Sequence, residues 1–258
     1  IAGAAYATIL SQFISAGATV FVLMHTKDVY RFNLKDMCLD KDILKGIFRI
    51  GMPTALQSVI TSLSNVFVQA YINFFGAAVM AGWGCYNKID QFVLLIMQSM
   101  AMASTTFVAQ NIGAYQEKRA NQGTFQAVMI TLLINACVSA VLAIYSNDAM
   151  RMFSGDEAVI HWGTIFIRQN IFFLLFNCVN HVLAGALRGR GDSVGPMLIM
   201  LVAFVAIRQT YLFFMTRFIA NTPQTVGFGY PLGWASCCIM EILYFHLHWK
   251  HRSAIPEA

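Results

Sequence analysis

Polar side chains recur at helical spacing inside the apolar segment that begins IGMPTALQ. Gln57, Thr61, Asn65, Gln69 and Asn73 follow one another every four residues, so they lie along one helix face with a drift of about 40° per step. Amides and hydroxyls in such a segment can bond one helix to another, at roughly 0.6–2 kcal/mol per pair, or can line a water-filled space. Either use requires neighbouring helices with matching polar faces.

Two further apolar segments carry such faces. One opens with YNKIDQF and holds Gln91 and Gln98, which are seven residues apart. The other, RQNIFFLLFNCVNHVLAGALRGRGDS, places Asn177 and His181 on one face with Asn180 at its edge. Because three segments share the pattern, we expect their polar faces to enclose one hydrated cavity.

Ionisable residues inside apolar segments are costly and point to function. Asp90 either pairs with Lys88 near the membrane interface or takes part in ion coupling. Arg208, near the middle of its segment, requires a carboxylate, a carbonyl cluster, a ligand or water. Glu241 either neutralises Arg208 or acts as a proton relay.

These patterns define the candidate site. The predicted cavity residues are Gln57, Thr61, Asn65, Gln69, Gln91, Gln98, Asn177, Asn180, His181 and Arg208, and the possible coupling residues are Asp90 and Glu241.

The composition of the chain indicates that the elements positioning these residues lie in a bilayer. Its 258 residues are 58% hydrophobic and 11% charged, with a mean hydropathy of +0.61, whereas soluble domains are about one quarter charged. The formal net charge of +5 lies between apolar segments rather than on one solvated face, which argues against a nucleic-acid partner.

Seven segments are each long enough to cross the hydrocarbon as a helix. They run over about 2–24, 50–74, 84–109, 124–146, 161–187, 194–217 and 231–249. These runs are too long for barrel strands, so we predict an all-α, polytopic membrane bundle of about seven helices. Trp83, Trp162, Trp234 and Trp249 fall at segment ends, where tryptophan favours the membrane interface.

Positive charge in the connections predicts the orientation of the bundle. Alternate connections and the C-terminal tail contain twelve Lys or Arg residues, while the intervening connections contain only Arg151 and Arg217. Since positive charge marks the cytoplasmic side, we expect Ile1 outside and Ala258 in the cytoplasm.

Motifs for covalent chemistry or metal binding are absent from the sequence. It contains no HExxH, GxSxG or P-loop motif, and its six cysteines form no CxxC pair. We therefore expect neither an enzyme nor a bound metal or organic cofactor.

Three segments, in this order, resemble the multidrug and toxic compound extrusion (MATE) family. They are IGMPTALQSVITSLSNVFVQ, FVAQNIGAYQEKRANQG and AGALRGRGDSVGPM. The resemblance divides the chain into 1–26, the last helix of an N-terminal lobe; 27–49, a cytoplasmic connection; 50–249, a six-helix C-terminal lobe; and 250–258, a cytoplasmic tail. The chain would then be a fragment whose partner is an N-terminal six-helix lobe of the same parent chain.

The resemblance implies an antiporter of the cell membrane that exports organic, often cationic, compounds by alternating access, in exchange for protons or sodium ions. Some sodium-coupled members carry carboxylates at the positions of Thr61 and Asn177, which are neutral here. Ion coupling would then rest on the other lobe, on Asp90 or on Glu241, because a sodium site without a carboxylate is weak.

Two alternatives remain. A lipid-linked oligosaccharide flippase of the same superfamily would present several cations to an anionic headgroup, and Arg168 and Arg208 keep this possibility open. The second alternative is a structural membrane subunit, but this role would not explain why three segments carry polar faces.

Overall fold

The computed structural model describes residues 2–27, 31–33 and 38–252, and within these ranges every regular element is helical. The predicted all-α bundle is confirmed. The α-helices are α1 (Ala2–His25), α2 (Lys41–Asn73), α3 (Ala77–Gly113), α4 (Glu117–Ile144), α5 (Ser146–Arg151), α6 (Glu157–Asn170), α7 (Leu174–Gly189), α8 (Val194–Leu201), α9 (Arg208–Phe214), α10 (Pro223–Gly227) and α11 (Gly229–Arg252). The chain forms two compact units, Ile1–Gly46 and Ile47–Ala258.

Six stretches of the described residues are long and apolar enough to cross a membrane. They are Tyr6–His25, Ala77–Gly113, Glu117–Ile144, Glu157–Gly189, Val194–Ile219 and Pro223–Leu247. The seventh expected span lies within α2, whose 33 residues extend for about 50 Å. The polar residues of α2 lower the mean hydropathy of the helix, so the prediction that α2 crosses the membrane stays a prediction.

Helix α2 begins earlier than the expected span. The side chain of Asp40 accepts hydrogen bonds from the backbone N–H groups of Asp42 (2.8 Å) and Ile43 (3.2 Å), which caps the first turn. Residues 41–49, which the sequence analysis placed in a connection, are therefore helical.

The second unit is built around α3 and α7. Helix α3 packs against α4, α6 and α7, and α7 also packs against α4 and α11. Glycines allow the closest approach: a Cβ atom on Gly185 would lie 2.5 Å from the carbonyl oxygen of Ala101, and one on Gly82 would lie 2.9 Å from the backbone of α6. This small-residue packing brings helix backbones together as it does in other membrane bundles.

Two spans are helical throughout but irregular. A single 3₁₀ turn, Ile171–Phe173, joins α6 to α7 within the fifth expected span. The sixth contains two wide π-helical turns, Val202–Ile207 and Met215–Ile219. Such turns leave carbonyl groups without their usual i+4 partners, and these carbonyls can then bond side chains of other helices.

The GRGDS sequence forms the turn after α7. Gly191 adopts a positive φ of 84°, and the N–H of Asp192 bonds the carbonyl of Leu187 at 3.0 Å, as is typical of a helix C-terminus. The carboxylate of Asp192 accepts from the N–H of Gly195 and from the hydroxyl of Tyr244. These bonds fix α8 and α11 against the end of α7.

Two of the four tryptophans lie in the core rather than at the interface. Trp83 and Trp234 are 1% and 4% exposed, and Trp83 contacts Phe166 and Tyr230 edge to face. Residues of α6 and α11 pack against Trp83, and Trp234 of α11 contacts Tyr230 within the same buried cluster. The position of these two tryptophans near segment ends therefore does not reflect interface anchoring. The side chain of Trp249 lies outside the described residues.

Replacing Gly185 with Val should separate α3 from α7, because overpacking a tight contact costs about 1–3 kcal/mol. We expect a lower melting temperature in detergent, measured by fluorescence-detected gel filtration. The matched control is Gly84→Ala, since Gly84 is exposed on α3 and has no atom within 4 Å of an added Cβ. Equal melting temperatures for the two variants would contradict the proposed packing.

Candidate functional site

A polar cavity of about 630 Å³ opens between α2, α3, α7 and α8. Its volume is in the range of cavities that hold drug-sized molecules. Helix α2 contributes Thr54, Gln57, Ser58, Thr61 and Ser62. Helix α3 contributes Gln98, Met102, Thr105 and Thr106; α7 contributes His181, Ala184 and Arg188; and α8 contributes Met200.

Gln57 links three sides of this cavity. Its Oε1 accepts from Nη1 of Arg188 at 3.2 Å, and its Nε2 donates to the sulfur of Met200 at 2.8 Å. Gln57 is only 6% exposed, so its amide has little freedom. It therefore fixes the guanidinium of Arg188 at the cavity wall.

The hydroxyl groups of the wall mostly donate to their own helices. Thr61 donates to the carbonyl of Gln57 at 2.9 Å and Thr106 to that of Met102 at 3.1 Å. Thr105 donates to the carbonyls of Ala101 and Gly185, both at 2.9 Å. These hydroxyls present acceptor lone pairs to the cavity, whereas donors for a ligand come from Arg188, His181 and the amide of Gln98.

Four of the ten predicted cavity residues line this cavity: Gln57, Thr61, Gln98 and His181. They come from all three predicted segments, so the structure brings part of each polar face together. The other six lie elsewhere.

Arg208 and Asn65 belong to a separate buried polar cluster. Arg208 is 1% exposed; its Nε donates to Oγ of Ser64 at 3.1 Å and its Nη2 to Oδ1 of Asn65 at 3.0 Å. Its guanidinium also lies over the rings of Phe204 and Tyr230, with Cζ 5.0 and 4.9 Å from the centroids. Arg208 thus joins α9 to α2 instead of facing the cavity.

Ser64 is a hydrogen-bond partner shared by three residues at this junction. Its hydroxyl donates to the carbonyl of Phe204 at 2.6 Å, and it accepts from Nε and Nη2 of Arg208 and, at 2.9 Å, from Nε2 of Gln209.

The remaining four predicted residues also lie outside the cavity lining. Gln69 donates to Oδ1 of Asn73 at 2.7 Å, within α2, and Gln91 is exposed one heptad before Gln98. Asn180 is fully buried and donates to the carbonyl of Trp234 at 3.1 Å, and Asn177 is 4% exposed. The helical drift of these polar faces carries their ends away from the cavity.

Asp90 is buried, at 6% exposure, and does not pair with Lys88. The ammonium of Lys88 lies 5.9 Å from the ring centroid of Phe153. Oδ1 of Asp90 has no hydrogen-bond partner among the described residues, and the same holds for the hydroxyl of Tyr86 and Oδ1 of Asn170. Electrostatic interactions link Asp90 to Tyr86 and Tyr230.

Glu241 is fully buried on α11 and does not neutralise Arg208. Among the described residues neither of its oxygens has a hydrogen-bond partner. The cation whose charge acts on it is Arg188. Glu241 therefore lies behind the cavity wall.

Sequence reasoning missed two residues, Arg188 and Ser64. Arg188 was counted as a cytoplasmic loop charge, although His181 lies seven residues before it on the same face of α7. Ser64 lies beside the predicted polar face of α2, and helical spacing from Gln57, seven residues earlier, could have found it.

A family model for MatE matches residues 53–210, which is more than half of the chain. The chain belongs to the MatE family. The match covers α2 from Pro53 onward and all of α3, α7 and α8, and it reaches Arg208.

Curated MatE relatives are similar over nearly the whole chain. The probable multidrug resistance protein YoeA of Bacillus subtilis is 22% identical over 98% of this chain and 55% of its own length. The multidrug export protein MepA of Staphylococcus aureus is 25% identical over 86% of this chain and 49% of its own length. The chain thus spans about half the length of these relatives.

A solved structure supports the fold. An outward-facing multidrug resistance MATE transporter of the MOP superfamily superposes with a TM-score of 0.89, at 19% identity, over 96% of this chain and 56% of its own. Members of the family are membrane transporters, and the bundle described above has the MATE lobe architecture.

Ser64→Ala should destabilise the lobe, because Arg208, Gln209 and the carbonyl of Phe204 would lose a shared partner in a buried site. We expect a loss of about 1–3 kcal/mol, seen as a lower melting temperature in detergent. Ser99→Ala is the control, since Ser99 is exposed and bonds only the carbonyl of Leu95 in its own helix. A Ser64→Ala variant as stable as the control would contradict the role of the junction.

Proposed function

We propose that this chain forms one lobe of a two-lobed exporter that moves small organic molecules out of the cell in exchange for protons or sodium ions. In this proposal a second six-helix lobe faces the cavity, and the two lobes expose it alternately to the two sides of the cell membrane. In this proposal the C-terminus lies in the cytoplasm, which the excess of Lys and Arg in the connections predicted on that side supports. YoeA and MepA carry multidrug resistance and export in their names, which supports the class of cargo.

The observation that carries the proposal is the polar cavity itself. A bundle that only spans the membrane gains nothing from a 630 Å³ space lined by five residues of α2 and by polar residues of α3 and α7. Polar groups at membrane depth are retained where they meet water or a solute.

Asp90 and Glu241 are the carboxylates proposed to take up the coupling ion. Each is buried and carries oxygen atoms that have no hydrogen-bond partner among the described residues. An unpaired buried carboxylate is stabilised by binding a proton or a cation. Ion binding at Asp90 would act on the aromatic core through Tyr86 and Tyr230. Ion binding at Glu241 would act on the cavity wall through Arg188.

In the full-length transporter, Thr61→Val and Gln98→Leu should each reduce drug efflux several-fold, because the cavity loses polar groups that contact cargo. Membrane abundance should not change, since neither side chain supports a buried contact. Efflux of a fluorescent dye from cells is the measurement. Gln126→Leu, an exposed residue of α4 outside the cavity, is the control. Wild-type efflux by both cavity variants would contradict the proposal.

In liposomes, the full-length transporter should accumulate dye when either a proton or a sodium gradient is imposed, whereas this chain alone should not, since one lobe has no partner for alternating access. Asp90→Asn should abolish accumulation driven by the effective ion but leave the chain folded. Transport by the single chain, or equal transport without any gradient, would refute the two-lobed exchange mechanism.

A further inference from the structure

The cavity has an electrostatic polarity that comes from Arg188 and not from the arginines that the sequence suggested, Arg168 and Arg208. Its lining includes two residues that can carry charge, Arg188 and His181, and no Asp or Glu. Both lie on α7, seven residues or about two turns apart, on the same wall. Because an arginine side chain stays protonated in proteins, the formal charge of this wall is positive whether or not His181 is charged.

The guanidinium of Arg188 is held by a neutral partner. In the described part of the chain Arg188 forms a hydrogen bond with Gln57 and no ion pair with a carboxylate. A guanidinium has five N–H donors in a planar fork, and the bond to Gln57 uses one of them. Arg188 lines the cavity, and its other N–H donors form no hydrogen bond among the described residues.

Glu241 is poorly placed to cancel this charge. Its charge interacts with Arg188, yet it is completely buried and the two side chains form no ion pair in the described ranges. An ionised carboxylate without hydrogen bonds is costly in a buried site. A ligand that enters the cavity meets Arg188 before it can meet Glu241.

The other walls offer hydrogen-bond acceptors rather than charge. The hydroxyls of Thr61, Thr105 and Thr106 donate to helix carbonyls, so they offer acceptors to the uncharged donor groups of a ligand. A negative group is best served by the α7 wall, where Arg188 can bind a carboxylate or phosphate through two parallel N–H groups.

We propose that Arg188, oriented by Gln57 and assisted by His181, is an anion subsite, and that the cargo contacts this lobe through a carboxylate or phosphate group. This inference rests on the proposed export function and specifies the chemistry of its cargo. The same subsite accommodates a soluble organic anion or the phosphate of an anionic lipid.

The test compares an anionic and a cationic probe on the full-length transporter in phosphatidylcholine nanodiscs. Binding of carboxyfluorescein and of ethidium is measured by fluorescence anisotropy. Arg188→Gln should weaken carboxyfluorescein binding about tenfold or more, as expected for loss of a charge-assisted contact, while ethidium binding stays constant or strengthens. Arg188→Lys, which retains the charge, should recover most of the carboxyfluorescein affinity.

Arg119→Gln is the matched control, because Arg119 is an exposed arginine that also bonds a glutamine, Gln116, at 3.3 Å and does not line the cavity. Its affinities for both probes should equal those of the wild type. Unchanged carboxyfluorescein binding in Arg188→Gln, or an equal loss for both probes, would overturn the anion subsite. If Arg188→Gln fails to fold, tighter binding of ethidium than of carboxyfluorescein by the wild type overturns it as well.

Two further arms separate the related possibilities. Phosphatidylglycerol that displaces carboxyfluorescein from the wild type identifies a lipid phosphate as the bound group, whereas absence of displacement identifies a soluble anion; both results support the subsite. Arg188-dependent binding without gradient-driven transport of either probe would refute the export function and leave the subsite intact. Transport of ethidium with no Arg188-dependent anion binding would refute the anion subsite and leave the export function intact.

Discussion

The hydrocarbon of a bilayer offers no water to a polar group, so a buried donor or acceptor in this lobe is stabilised by a hydrogen-bond partner within the protein. The hydroxyl of Ser64 shows how strongly this constraint shapes the fold. It joins Arg208, Gln209 and the carbonyl of Phe204, and so attaches α2 to the irregular sixth span. Because α2 supplies one wall of the cavity, the position of that wall depends on this junction.

The same constraint explains why polar residues on one helix serve two purposes. Around the middle of α2, Gln57 and Thr61 face the cavity; further along, Ser64 and Asn65 bind Arg208. The sequence left open whether the polar face of α2 bonds a neighbouring helix or lines a cavity. One part of this face lines the cavity, and the next part along the helix bonds a neighbouring helix. The drift of a four-residue repeat around the helix accounts for the change.

Close backbone packing supports the opposite wall. Gly185 and Thr105 lie where α7 meets α3, and Thr105 bonds carbonyls of both helices. This contact places His181 and Arg188 of α7 beside Gln98 of α3. The wall that we assign to an anionic group is thus rigid where it carries its charge, which favours a selective site over an adaptable one.

The sequence by itself determined the fold class, the approximate spans and the family, because hydropathy and motif order depend on local composition. It also identified polar faces on α2, α3 and α7 as the source of the cavity. Only the tertiary structure decided which of the predicted polar residues line the cavity. Gln57, Thr61, Gln98 and His181 do so, whereas Asn180 and Arg208 bind neighbouring helices. It also brought Arg188 into the cavity. Helical spacing fixes the direction of a side chain only relative to its own axis, and the rotation and crossing of packed helices set what that side chain faces.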